Sequence, residues 1–561
     1  MKVDVLVVGG GGAAARAAIE AARSGASVRL VVKGKAGKCG LTATARSEIL
    51  GIAAALGHAD PRDSPDTHYH DTMKGGEGFC DPRMVRVLVE EAPDRVRDLL
   101  EFGVPFERDG KLLRQQLTDH STYPRACRVD GITGAAILET LLMESRRLGV
   151  ILDEQTMVAD LLLHHGRVAG AIGLHRVSGE AVLYEAKAVV LATGGMGDAF
   201  GPTLSDATMT GDGLALALRA GARLVNMEMH QLIPGVIYPC AMVLSGPLYR
   251  LRPSLLNGLG EQFLRRYLPA GVSEEDALQA KVSPYSTSNV SRYIDEAIYR
   301  EICAGRCSPH GGVFYDFSSC SEQQFVAVAP NSYKFLRRNL VDPTRDRLEV
   351  SILFQMINGG VLMVEPSAMT DVPGLFVAGE TAGGVRGPDR PGGNSLAEGQ
   401  VFGARAGRHA AAWARGEGHI SSPEQALRAS LKRLEAPLRR QVNVQQELLR
   451  QALKRTMWDH CLVVKSRRSL QRALEAIGEI RARLSEVGAS RGPDWTALLG
   501  LENALVVSEA AVLSALRREE TRGSHYREDF PATDAKWRRS IVVKADGDQL
   551  FTELLEYGDQ N

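Results

Sequence analysis

The sequence predicts an α/β protein built on a discontinuous parallel sheet, with an inserted α+β segment and a helical C-terminal part. Three observations predict it. A glycine-rich strand–helix–strand unit opens the chain, two later strands run into glycine turns near residues 195 and 379, and helical periodicity takes over after residue 420.

In the opening unit, residues 3–8 (VDVLVV) are an apolar run of the kind a strand buried on both faces needs. A small-residue helix follows to about Ser24, and a second strand spans 27–33. Between strand and helix lies Gly9-x-Gly11-x-x-Ala14. Gly9 permits the tight turn, Gly11 lets the backbone approach a pyrophosphate, and Ala14 lets the helix pack closely on the strand. Gly11, Gly12 and Ala13 open the helix, whose free N–H groups and positive dipole end attract phosphate. Such a motif is weak alone and specific in this strand–helix–strand setting. Where an NAD-binding unit ordinarily ends its second strand in an acid, this chain has Val32-Lys33, so NAD loses support.

Residues 150–200 read as short strands that contribute Val158 and end in the turn Ala192-Thr193-Gly194-Gly195. Much later, Gly374-Leu375-Phe376-Val377-Ala378-Gly379-Glu380 repeats the strand-to-glycine pattern. Three such turns in this order read as a Rossmann-like FAD-binding domain in two parts, 1–228 and 350–420, around a capping segment at 229–349. From 421 to 561, stretches such as EQALRASLKRLEAPL, VQQELLRQALKRTMW and RSLQRALEAIGEIRARL place apolar residues at helical spacing with charge on the other face. That makes a helical C-terminal domain.

A chain of 561 residues exceeds one compact core. Lys+Arg and Asp+Glu both number 67, so net charge speaks for neither nucleic acid nor an anionic membrane as partner. No apolar run approaches the ~20 residues of a transmembrane helix. The strand starting at residue 3 leaves no room for a targeting peptide, so a cytoplasmic protein without direct membrane insertion is expected. The eight cysteines form no CxxC pair and are expected to be reduced structural thiols, with no metal site.

Further motifs tie these pieces together: Thr210-Gly211-Asp212-Gly213, Arg390-Pro391-Gly392-Gly393-Asn394-Ser395-Leu396 and a late Glu520-Thr521-Arg522-Gly523-Ser524-His525-Tyr526-Arg527-Glu528-Asp529-Phe530-Pro531. With residues 4–22 and the glycine turns, they resemble the flavoprotein subunits of the succinate dehydrogenase/fumarate reductase family, which also holds L-aspartate oxidase. The resemblance covers almost the whole chain. It implies that Asp212 and Glu380 hold FAD hydroxyls and that Asn394, Ser395 and Leu396 meet the flavin's pyrimidine edge. Thr42 would lie near flavin N5, Gly40 and Leu41 would also meet the cofactor, and Asn358 and Gly359 would lie beside the ring. Many family members attach FAD through a His in a stretch that here reads Cys39-Gly40-Leu41-Thr42, so FAD is expected to be non-covalent. The partners to be expected beside a small-molecule substrate are an iron–sulfur or other electron-transfer protein and a second copy of the chain.

Departures from the family concern the substrate. Thr287 falls where the proton-shuttling Arg belongs, Gln355 replaces a His of the HYTMGG stretch, and the TEGxRGEGG loop becomes roughly residues 244–253. Arg390 sits at the family's carboxylate-binding Arg, and His230 is matched to the His of its QxHPT stretch. Arg252 and Arg292 are further candidates for a shifted clamp. The expected activity is hydride transfer between flavin N5 and a small, carboxylate-bearing molecule other than fumarate or succinate. Two readings stand beside it: the same FAD core acting on a non-dicarboxylate, such as a ring or a sulfur compound, and a non-catalytic electron relay.

Overall fold

A computed structural model describes residues 1–418, 424–441 and 446–557. Strand β1 (Lys2–Val8) leads through helix α1 (Gly12–Arg23) to β2 (Val28–Val31), and β3 (Ile151–Asp153), β4 (Thr156–His164), β5 (Arg167–His175) and β6 (Ala181–Leu191) come later. Helix α2 (Asp212–Arg219) precedes the capping strand β7 (His230–Tyr238), helix α3 (Pro330–Arg338) and strand β8 (Leu348–Ile357). Strand β9 (Leu375–Val377) and helix α4 (Asn394–Gly416) complete the FAD-type core.

The main sheet has the order β3-β2-β1-β6-β5-β4. Strands β3, β2, β1 and β6 run parallel, and β9 adds in parallel to Val189–Leu191 of β6. Val5, Leu6 and Val7 are fully buried, as the apolar run requires. Because β1, β6 and β9 are successive neighbours, their three glycine turns fall side by side. Ala192 N–H donates to the Val8 carbonyl (2.8 Å) and Ala378 N–H to the Leu191 carbonyl (3.0 Å), which carries the alignment past the strand ends. The turns thus rim the crevice outside the carboxyl ends of the strands, where α/β sheets bind ligands.

Helix α4 packs directly on α1. Its Gly399, Gly403 and Gly407 face the backbone of Ala13 and Ala17, and a Cβ at Gly403 would lie 2.7 Å from the Ala13 carbonyl oxygen. At Gly403 and Gly407 only hydrogen lets the two backbones approach so closely.

Over the crevice lies a five-stranded capping sheet. Its centre is the antiparallel pair β7–β8, flanked by Met242–Val243 on one side and by Val313–Asp316 and Ser254–Leu256 on the other. The C-terminal part is built on α5 (Gln446–Cys461), α6 (Arg467–Leu484) and α7 (Pro493–Arg517). Helix α7 is long and apolar enough to cross a membrane by length and composition, yet 72% of its most apolar window is buried inside the protein. It is a core helix. The expected boundary at 420/421, and the first two residues of the pattern starting at 444, lie outside the described residues. After the helices, the hairpin β10 (Ser540–Asp546) and β11 (Gln549–Leu555) joins Leu224–Val225 in a second sheet.

The late signature closes this connection. Fully buried Arg518 donates to Glu228 Oε1 (2.7 Å) and to the Trp537 and Arg539 carbonyls (both 2.8 Å), while Arg522 reaches Glu77 Oε2 (2.6 Å) and Glu520 Oε2 (2.8 Å). These arginines clasp the end of the chain onto the nucleotide-binding core. Buried charges of this kind persist because removing one partner strands the other, at a cost of about 3–5 kcal/mol.

Candidate functional site

A cavity of about 1180 Å³ runs from the glycine turns to the capping sheet. That exceeds the roughly 300–1,000 Å³ of ordinary small-ligand sites, and suits a dinucleotide plus a smaller second molecule.

At the first turn, Gly9 has φ +134°, and a Cβ there would strike the Ala192 carbonyl. Gly11 differs. Its φ is −86°, and the nearest atom to a Cβ would be Thr42 Oγ1 at 3.4 Å. So Gly9 is needed by the fold, whereas Gly11 leaves open space that belongs to the cavity. Gly12 and Ala13 continue the lining at the helix N-terminus, and Thr42 Oγ1 accepts a long bond from Gly12 N–H (3.4 Å). Ala14 does not line the cavity. It is fully buried in the core, in the packing role that its motif position assigns.

Lys33 Nζ donates to Asp212 Oδ2 (2.8 Å) and Thr210 Oγ1 (2.6 Å), and Asn503 of α7 donates to Asp212 Oδ1 (2.9 Å). Burial alone would raise the Asp212 carboxyl, but Lys33, Thr210 and Asn503 together hold it below its usual range. Val158, Gly40, Leu41, Thr42, Ala192, Thr193 and Gly194 all line the same cavity. Glu380 faces it beside Gly195, accepts from Ile357 N–H (3.1 Å), and is pushed up to about 7 by burial, against the pull of Arg386.

Sequence reasoning missed the buried Arg386–Glu398 pair, 3.0 Å apart and 2% and 1% exposed. Arg386 also donates to the carbonyls of Ile357 (3.1 Å), Glu380 (3.2 Å) and Ala382, stapling β8 to the third glycine turn. The available signal was a charged residue inside the otherwise small and apolar stretch 382–387. Gln400 was missed as well: its Nε2 reaches the Gly12 carbonyl (3.3 Å), and its Oε1 is buried without a partner at the cavity wall.

Arg390 stands at the capping end. Its Nη1 donates to the Pro391 carbonyl (2.6 Å) and its Nη2 to Gln231 Oε1 (3.2 Å), while Nε is buried and unpartnered. Burial, and then Arg386, push it down to about 10, which leaves it protonated at neutral pH. Ser245, Ser283 and Gln355 line the same end, each with a buried side-chain oxygen that has no partner. Ile233, Met242 and Met356 supply the apolar remainder of this wall.

Several expected site residues lie elsewhere. His230 is fully buried edge-on against the stacked Phe200–Phe354 pair, with ring centroids 5.1 and 5.6 Å away, and burial pushes it down to about 3. It is a neutral core histidine. Matched as Gln231-x-x-Pro234, the QxHPT stretch puts Ile233 at the histidine position, and Ile233 does line the cavity. Arg252 is exposed and pairs with Glu275 (2.7 Å). Arg292 bonds the Tyr293 hydroxyl (3.1 Å) and lines a separate cleft of about 530 Å³ that also holds Thr287. Asn358 donates to the Gly387 carbonyl (2.8 Å) and Gly359 abuts Asn226, so both lie behind the wall that Gln355 and Met356 present. Asn394 is likewise internal, bonded to His68 (2.8 Å) and Thr72 (3.0 Å), while Ser395 and Leu396 line the cavity.

The donor set fits FAD. A helix N-terminus with open glycine backbone suits the pyrophosphate, and Asp212 and Glu380 suit hydroxyls. The turn at Ser395 and Leu396 suits a polar ring edge.

Comparison with known proteins agrees. The family described as FAD binding domain matches residues 4–396, and the one described as Fumarate reductase flavoprotein C-term matches residues 450–557. The chain is 36% identical over 552 residues to one of the subunits of the fumarate reductase (CoM/CoB) of Methanothermobacter marburgensis, covering 96% of each chain. It is 32% identical over 568 residues to L-aspartate oxidase of Streptomyces coelicolor, covering 98% of this chain and 92% of that one. Among solved structures, Mycobacterium smegmatis Sdh1 in complex with UQ1 superposes with a TM-score of 0.89 at 33% identity, covering 100% of this chain and 95% of that one. The chain belongs to the succinate dehydrogenase/fumarate reductase flavoprotein family, with L-aspartate oxidase among its relatives, and is an FAD-dependent oxidoreductase.

Proposed function

We propose that the protein oxidises or reduces a small, carboxylate-bearing molecule, other than fumarate or succinate, held between the glycine-turn crevice and the capping sheet. One observation carries this reading: the buried Arg390 guanidinium at the cavity wall, with an unpartnered Nε, together with the unpartnered Ser245 and Ser283 hydroxyls, which can donate to a carboxylate. A guanidinium fork is the side chain best shaped for a carboxylate, and in a water-poor cleft its charge-assisted bonds are strong. FAD, when bound, supplies the group that takes or gives a hydride. The chain's own residues hold the substrate still against it, which is where such sites gain most of their rate.

Three differences turn the reading away from fumarate. Ile233 and Gln355 stand on the wall where the family motifs carry histidines, and Thr287 lies in the separate cleft. The relatives named fumarate reductase support the competing reading, fumarate itself. The test is anaerobic reduction with dithionite followed by reoxidation with a panel of unsaturated mono- and dicarboxylates. Fumarate is expected to turn over below about 1 s⁻¹, and a rate within the common range of about 10–10³ s⁻¹ would restore it as substrate.

FAD is proposed to be non-covalent, since no histidine among the described residues lines the cavity, and none lies between Cys39 and Gly57 in the sequence. Acid precipitation should leave all the yellow colour in the supernatant. Flavin in the protein pellet would contradict the assignment. Electron exchange with a separate protein fits the naming of relatives as subunits of larger enzymes.

A further inference from the structure

The proposed reaction also needs a proton. Oxidation of a substrate SH₂ breaks two bonds to hydrogen: one hydrogen leaves as hydride with the bonding electrons, and the other must leave as a proton to a base. Reduction reverses both transfers. Thr287, at the family's proton-shuttle position, does not line the cavity. His230 and His120 do not either. Of the other carboxyls on the cavity wall, Asp212 is engaged by Lys33, Asp206 accepts from Gly40 N–H and Thr208, and Glu48 accepts from Ser332 N–H (2.7 Å). Asp130 is exposed, and Glu380 sits at the third glycine turn beside Gly195, while Arg386 is taken up by carbonyls and Glu398.

One carboxyl remains at the Arg390 end. Asp119 lines the cavity, and its own backbone carbonyl accepts from Gly392 N–H (2.9 Å), which anchors it to the turn that follows Arg390. No basic nitrogen lies within ion-pair distance of its carboxylate among the described residues. We propose that Asp119 is the group that takes the proton from, or gives it to, the substrate carbon next to the one that exchanges hydride. Resting on the carboxylate reading above, this makes Asp119 a catalytic residue and Arg390 the clamp beside it. Burial lifts the Asp119 carboxyl above its ordinary range, against the opposing pull of His120, Lys281 and Arg390. Lys281 is itself held at 2.6 Å by Asp295, both fully buried, so its distance to the cavity is fixed by the core. A carboxyl tuned upward toward working pH is suited to both proton uptake and release.

The test uses the FAD-loaded protein, Asp119→Asn and Asp119→Glu. Malonate binding is followed by the perturbation of the flavin spectrum across pH, and turnover by reoxidation of the dithionite-reduced protein with fumarate, mesaconate, crotonate and acrylate. Wild-type malonate affinity should fall as pH rises, because ionised Asp119 repels the ligand. In Asp119→Asn the affinity should be level with pH and no weaker, while turnover of the best acceptor drops about 10²–10⁴-fold. Asp119→Glu should recover part of that rate. Asp119→Asn turnover within threefold of wild type would overturn the proposal and leave the carboxylate reading intact. So would weaker malonate binding with an unchanged maximal rate. If wild type neither binds malonate nor is reoxidised by any of the four acceptors, the carboxylate reading falls, and this inference with it.

Discussion

Gly11→Val should yield a folded but colourless protein. A Cβ at this position meets nothing closer than Thr42 Oγ1 at 3.4 Å, and the backbone φ of −86° is one that valine adopts readily. The branched side chain must therefore project into the space between the helix N-terminus and the cavity, where a pyrophosphate requires bare backbone. The expected result is at least a 100-fold loss of FAD affinity with an unchanged far-ultraviolet circular dichroism spectrum. Gly9→Val is the control of opposite character. Its φ of +134° and the collision with the Ala192 carbonyl should damage the fold itself. Full flavin occupancy in Gly11→Val would remove the first turn as the phosphate site.

Arg390→Lys and Arg390→Ala should separate charge from shape. Lys keeps the cation but loses the fork, and with it the simultaneous bonds to the Pro391 carbonyl, to Gln231 and to a carboxylate. A loss on the order of 1.5–3 kcal/mol of substrate binding is expected, or roughly 10- to 150-fold in apparent affinity. Ala should lose more, because Gln231 and the neighbouring unpartnered oxygens then face an uncharged wall. FAD content should stay unchanged in both, which is checked by the ratio of flavin to protein absorbance. Turnover untouched by either variant would exclude Arg390 as the clamp.

These two predictions differ in how much of them the sequence alone supports. The place of Gly11 at the cavity was legible because a strand, a turn and a helix start depend on residues within about ten positions of each other. The same holds for the turns at Ala192–Gly195 and Gly374–Glu380. Their meeting at one crevice followed from the right-handed, parallel way in which such units wind.

The capping end was less legible. His230 and Ile233 illustrate why. In a strand successive side chains point to opposite faces, so a motif matched three positions away selects a residue on the other face. His230 consequently packs against the stacked Phe200–Phe354 pair, while Ile233 reaches the cavity. Arg252 and Arg292 failed for another reason. A cation near a motif has no preferred direction until its neighbours are known, and here Glu275 holds Arg252 at the surface while Arg292 bonds Tyr293 in the separate cleft.

The sequence by itself determined the parallel core, the three glycine turns and the FAD chemistry, because each rests on local spacing and on backbone room that only small residues provide. The tertiary structure decided the capping end of the cavity. Asp119, Ser245, Ser283, Gln355 and Arg390 come from five separate stretches of the chain and share no spacing. What unites them is desolvation by a common cavity, and that depends on how the capping sheet settles over the crevice.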